Sequence, residues 1–200
     1  MAELVYESAN VAATKVTWRK MHVIQEASLL HLKRRRVTKM LPVYDPRNVG
    51  LCFGYSLVWL KQLFEHPEKI DDPPGELHAG LIQSLYERED GTIEKMLKML
   101  SMKIADSWRN MTKAHAAFTM SRELPLGVFG TYMLWKPPTH AGAAANPRRS
   151  VYKYIFDANI GMYKTLLERD LRGLFKHILA SYGLPEDSHV FTLYRIEEDI

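Results

Sequence analysis

Asn48-Val49-Gly50-Leu51-Cys52-Phe53-Gly54-Tyr55-Ser56-Leu57-Val58-Trp59 marks a change from loop chemistry to a helical pattern. Just upstream, Leu41 to Gly50 carries two prolines, an asparagine and a glycine, residue types that set turns and interrupt regular structure. From Leu51 to Phe64 the apolar Leu51, Tyr55, Val58, Leu60 and Leu63 recur at the spacing of a buried helix, and His66-Pro67 stops it. Cys52 therefore stands in the first turn of the predicted helix. Tyr55 and Trp59, one and two turns further on, belong to its core face.

Downstream, the Asp71-Asp72-Pro73-Pro74-Gly75 loop precedes further predicted helices over 76–88, 92–100 and 102–120. The character changes at Leu124. Leu126 to Trp135 is rich in β-branched and aromatic residues between Pro125 and Pro137-Pro138, which predicts a strand. His140 to Ala145 predicts a second strand of small residues, Asn146 to Ser150 a hairpin turn, and Val151 to Phe156 a third strand. A packing helix over 163–182 and a strand over 189–196 complete the pattern. Helices first and an antiparallel sheet second describe an α+β domain. Residues 1–40 alternate apolar and basic positions without a clean period, although Met21 to His31 suits one amphipathic helix. They are read as a lead-in segment to a single domain over 41–200.

The chain has 200 residues, 46% hydrophobic and 25% charged, enough for one domain with a real core. Its single cysteine excludes an intrachain disulfide and every paired-cysteine zinc spacing, so no metal is expected. No apolar run approaches the roughly 20 residues of a membrane span, and Met1-Ala2-Glu3-Leu4 lacks the order of a secretory signal, so a soluble chain is expected; membrane association is possible but has no support in the sequence. The net charge of +4 is concentrated in Lys33-Arg34-Arg35-Arg36 and Arg148-Arg149. That surplus is too small to point to nucleic acid; a binding module using these basic segments on anionic partners, with Cys52 merely buried, stands as the non-enzymatic alternative.

A thiol in the first turn of a helix faces unpaired N–H groups and the positive end of the helix dipole, which favours the thiolate that nucleophilic chemistry needs. Gly50 lets the backbone turn sharply and a substrate chain approach closely. The N–H of Cys52 serves as one oxyanion-hole donor, with Asn48 the candidate for the second and Asp45 a weaker one. The thiolate also needs an imidazole, and the imidazole an acceptor that fixes its tautomer. His140 opens one predicted strand and Asp157 ends the next, one hairpin later, so the two can lie side by side at one end of the sheet. Taken singly, each residue has a structural reading, since a lone helical cysteine is most often core and Asp157-Ala158-Asn159 suits an Asx turn. The order helix-start cysteine, strand-start histidine, strand-end aspartate raises the catalytic reading above these.

The segment Asn48 to Trp59, with a glycine two before the cysteine and a tryptophan seven after it, resembles the nucleophile motif of the YopT/AvrPphB family of bacterial effector cysteine proteases. Thr139-His140-Ala141 is similar to that family's histidine motif. Tyr154-Ile155-Phe156-Asp157-Ala158-Asn159-Ile160-Gly161 is similar to its aspartate motif, with Ala158 where proline is usual and Met162 where an acidic residue is common. The resemblance covers roughly residues 44–196 and marks a divergent relative. It implies a papain-like fold and a Cys52-His140-Asp157 triad that cleaves a specific protein of a target cell through a thioester, without a cofactor. It further implies a bacterial effector or toxin, exported by a dedicated secretion system into a target cell's cytoplasm, with room for a cognate chaperone or immunity protein. The same triad also serves glutamine deamidases, transglutaminases and acyltransferases, which differ only in what attacks the thioester or the amide.

Overall fold

The computed structural model describes residues 3–7, 52–70, 72, 74, 76–126, 131–136, 141–148, 150–158, 161–166, 168–180 and 184–200. Among the described residues, seven strands, β1 (Glu3–Glu7), β2 (Met102–Met111), β3 (Thr131–Lys136), β4 (Gly142–Asn146), β5 (Lys153–Asp157), β6 (Gly161–Thr165) and β7 (Phe191–Glu198), form one antiparallel sheet. Their order is β1-β6-β5-β4-β3-β7-β2. The α-helices among the described residues are α1 (Cys52–Glu65), α2 (Glu76–Tyr86), α3 (Ile93–Met99), α4 (Lys113–Leu126) and α5 (Glu168–Ala180).

Helices cover both faces of the sheet. β4 reads Gly-Ala-Ala-Ala-Asn and is buried along its whole length, because it lies between β3 and β5 with a helical layer on each side. Alternation then sorts the side chains. Ala143, Ala145, Tyr154 and Phe156 join the core beneath α1, with Trp59, Leu60 and Leu63. Ala144 and Ile155 join a second core with Met120 and Leu124 of α4 and Leu171, Phe175 and Ile178 of α5. The α5 stripe is the packing helix expected from the sequence, but it begins at Glu168, and Gly161–Thr165 form a strand instead of its first turn.

The second correction concerns residues 102–120, predicted as one helix. They form β2 and then α4. Ile104, Trp108 and Met111 are spaced as on a helix, and two bulges explain how a strand accommodates them. The register against β7 shifts between Ile104 and Asp106 and again between Trp108 and Met111. A bulge inserts one residue and resets the alternation. Met102 and Ile104 consequently pack in the first core, whereas Trp108 and Met111 pack against the second. The third correction is β1, in a segment where no strand was predicted; it pairs with β6 at the sheet's far edge. The sheet is thus not confined to the C-terminal half, since its edge strand β1 comes from the start of the chain, and its other edge, β2, precedes the change of character at Leu124. The amphipathic stretch proposed for 21–31 lies outside the described residues.

Within the first layer, α1 and α2 touch through backbone. A Cβ on Gly54 would collide with the carbonyl oxygen of Ala79 and sit 2.8 Å from its carbonyl carbon. Backbone on both sides leaves nothing flexible to yield. Gly54→Ala is therefore expected to force the helices apart and cost about 3 kcal/mol, read as a lower urea midpoint at unchanged m-value; an unchanged midpoint would show that the helices slide apart freely.

Candidate active site

Cys52 is the first residue of α1. It is 7% exposed, a free thiol at the margin of the first core. Two side chains pin the turn it opens. Ser56 Oγ donates to the Cys52 carbonyl at 2.7 Å, and the N–H of Gly54 donates to Gln83 Oε1 of α2 at 3.0 Å. The first N–H groups of a helix have no intrahelical acceptor, so the Gln83 amide satisfies one of them from a neighbouring element. Gln83 itself is 5% exposed and donates through Nε2 to Glu87 Oε1 at 2.6 Å. Partial burial pushes the Glu87 carboxyl above the usual carboxylate range, and the bond from Gln83 pulls it back.

Asp157 is the last residue of β5 and is completely buried. Its cross-strand neighbours are Gly142 of β4 and Gly161 of β6. Neither brings a side chain to the face that the carboxylate shares with them, and Gly161 adopts φ 134°, a conformation open to glycine but not to larger residues. Strand alternation assigns Asp157 to the face of Ile155, while Phe156 and Ala158 face α1. Thiol and carboxylate thus belong to opposite faces, and any group that joins them must cross the end of the sheet.

The helix of Cys52 and the strand of Asp157 are nevertheless fastened together. The Trp59 ring stacks on Phe156 with centroids 5.4 Å apart and an interplanar angle of 14°. Both side chains are fully buried. Ala141, the residue after His140 in the chain, is buried in the same core as Cys52. His140 and Asn48 themselves lie outside the described residues, as do Asp45, Gly50 and the basic run 33–36; of the second basic pair, Arg148 is exposed. Gln83 and the spacer role of Gly54 were not legible in sequence. A glutamine inside an amphipathic helix carries no mark of the backbone it will meet. Among the described residues, no three His, Cys, Asp or Glu side chains cluster as metal ligands would, and no helix is long and apolar enough to cross a membrane.

No protein-family model matches the chain, and no curated protein sequence matches it significantly. Solved structures do. The chain is similar to the Pseudomonas avirulence protein AvrPphB, with a TM-score of 0.53 at 15% identity over 74% of this chain and 91% of that one. It is also similar to PatoxP, a cysteine protease-like domain of the Photorhabdus asymbiotica toxin PaTox, with a TM-score of 0.50 at 11% identity over 89% of this chain and 60% of that one. At such identities the likeness concerns the course of the backbone and not the chemistry. A cysteine-initiated helix laid on an antiparallel sheet, with helices on the opposite face, gives this chain the papain-like α+β fold of AvrPphB-type cysteine proteases.

Proposed function

We propose that the chain is a cysteine peptidase acting on a protein of a target cell, with Cys52 as nucleophile, His140 as general base and Asp157 as the acceptor that orients the imidazole. The observation that carries this reading is the placement of the chain's one cysteine at the first residue of a helix clamped to the strand that ends in Asp157. His140 precedes Gly142 by two residues, so chain geometry limits their Cα separation to about 7 Å, and Gly142 is the register partner of Asp157. An imidazole mounted there is suited to bridge the sheet end between carboxylate and thiol. A buried carboxylate requires hydrogen-bond donors, and an imidazole N–H is one.

In this scheme the thiolate attacks the peptide carbonyl, and the oxyanion is held by the N–H of Cys52 and by Asn48. The imidazolium gives its proton to the leaving amine, and water attacks the thioester with His140 again as base. The avirulence protein and the toxin domain that share this fold support the further reading of a bacterial effector or toxin, exported and acting inside another cell.

The deciding measurement is the rate of iodoacetamide labelling at Cys52 against pH, in the native and the unfolded chain. Fast native labelling that persists well below the ionisation range of a free thiol, and that is lost in His140→Ala, is the expected result. Slow native labelling that becomes fast only on unfolding would make Cys52 a core residue and end the proposal. Asp157→Asn is expected to reduce turnover at least about tenfold less than His140→Ala, because an amide can still hold the ring, as the Cys-His-Asn series of papain-like proteases does. Equal losses would mean that Asp157 does more than orient.

A further inference from the structure

From the hydrogen-bond chain Glu87–Gln83–Gly54, we propose that Gln83 is a positioning residue that fixes the heading of the first turn of α1, and with it the Cys52 N–H that faces the oxyanion. The inference rests on the reading of Cys52 as the nucleophile.

The chemistry of the three groups determines how the amide lies. Gly54 N–H can only donate and a carboxylate only accepts, so Oε1 faces α1 and Nε2 faces Glu87. A reversed amide would set donor against donor and acceptor against acceptor. The bond to Glu87 is short and charge-assisted, the stronger class of hydrogen bond. It makes the amide a stiff strut and not a rotor.

At the other end, Gly54 sits so close to α2 that a Cβ on it would collide with the Ala79 carbonyl, and it cannot move away without losing its acceptor. The Cys52 carbonyl is fixed in turn by Ser56. The peptide units between Cys52 and Gly54 are thus held from both ends by side chains that lie outside the proposed triad. An oxyanion donor is effective only where it points at the developing charge without reorganising. This strut supplies that preorganisation.

The test compares two reagents on the full chain. A peptidyl aldehyde forms a thiohemiacetal whose oxyanion needs the donor, whereas iodoacetamide needs only the thiolate. Gln83→Met keeps the volume and removes both bonds. It is expected to weaken aldehyde binding roughly fivefold to tenfold, the worth of one ordinary hydrogen bond, while native iodoacetamide labelling stays within about threefold. Gln83→Glu alone sets two carboxylates together and is expected to be impaired. Adding Glu87→Gln reverses the roles, with the new carboxylate accepting from both Gly54 and the new amide, and should restore aldehyde affinity. A purely structural role would shift both reagents alike and would follow melting temperature, not amide chemistry.

Should Gln83→Met fail to fold, Glu87→Gln alone decides. Its exposed position spares the packing, and it should weaken aldehyde binding in the same direction, by about threefold. If the wild type captures the aldehyde and the folded variants capture it equally well, the positioning role is wrong and the peptidase reading stands. If the wild type captures none, both fall, since there is then no nucleophile to position.

Discussion

Cys52→Ala is expected to lower turnover of a fluorogenic peptide pool by at least about 10³-fold, because the attacking atom is gone and no neighbouring group can replace it. The fold should survive. Alanine is the best helix former, the Ser56 and Gln83 bonds are made to backbone atoms of the turn and not to the thiol, and the lost sulfur sits at the margin of the core. A cost near 1 kcal/mol corresponds to a melting-temperature drop of roughly 2–4 °C at this chain length. The chain has one cysteine, so the variant has no thiol at all, and any thiol-dependent signal left in the preparation comes from a contaminant. Turnover by the alanine protein at the wild-type rate would end the nucleophilic reading.

Trp59→Ala carries the largest expected effect on stability. It removes a fully buried indole and its stack on Phe156, a change worth about 3–5 kcal/mol from a total that for such domains is about 5–15 kcal/mol. Trp59→Phe, which leaves a smaller cavity, should cost clearly less, about 1–2 kcal/mol. It keeps an aromatic ring over Phe156 and discards the indole N–H, which is buried without a hydrogen-bond partner among the described residues and therefore carries a desolvation cost of its own. Urea unfolding followed by far-UV circular dichroism reads both, free of the lost fluorophore. Equal losses in the two variants would show that the stack contributes little beyond the indole's own volume. Because this contact fastens the helix of Cys52 to the strand of Asp157, Trp59→Ala is also the variant in which native labelling of Cys52 should become heterogeneous.

The elements that were legible are those buried on a continuous face. α1 shows its apolar spacing from Tyr55 to Leu63, β4 its run of small residues, and β7 its β-rich composition between polar flanks. Each packs against at least one full layer, so burial writes a pattern into the residues themselves. The two strands that precede the change of character at Leu124, β1 and β2, are the edges of the sheet and are not legible in the sequence. An edge strand has one hydrogen-bonded neighbour and a partly solvated surface, so it needs less apolar material and leaves a weaker trace. β2 added a second difficulty, because its bulges turn a strand that serves both cores into a helical spacing. β6 is hidden for a different reason: its Tyr163 continues the apolar spacing of the helix that begins only at Glu168.

For the candidate site, residue type and order pointed to a helix-start cysteine and a strand-end aspartate, because a turn followed by an apolar helical period and an aspartate after an alternating strand are both local signals. The sequence by itself determined those two placements, the absence of an intrachain disulfide and the α+β class. Only the tertiary structure decided that helices cover both faces, that the carboxylate stands between two glycines on the face opposite α1, and that an amide from α2 holds the nucleophile's turn. Those are relations between segments far apart in the chain. Local propensity is blind to them, since the free energy that selects them arises only when the two surfaces meet.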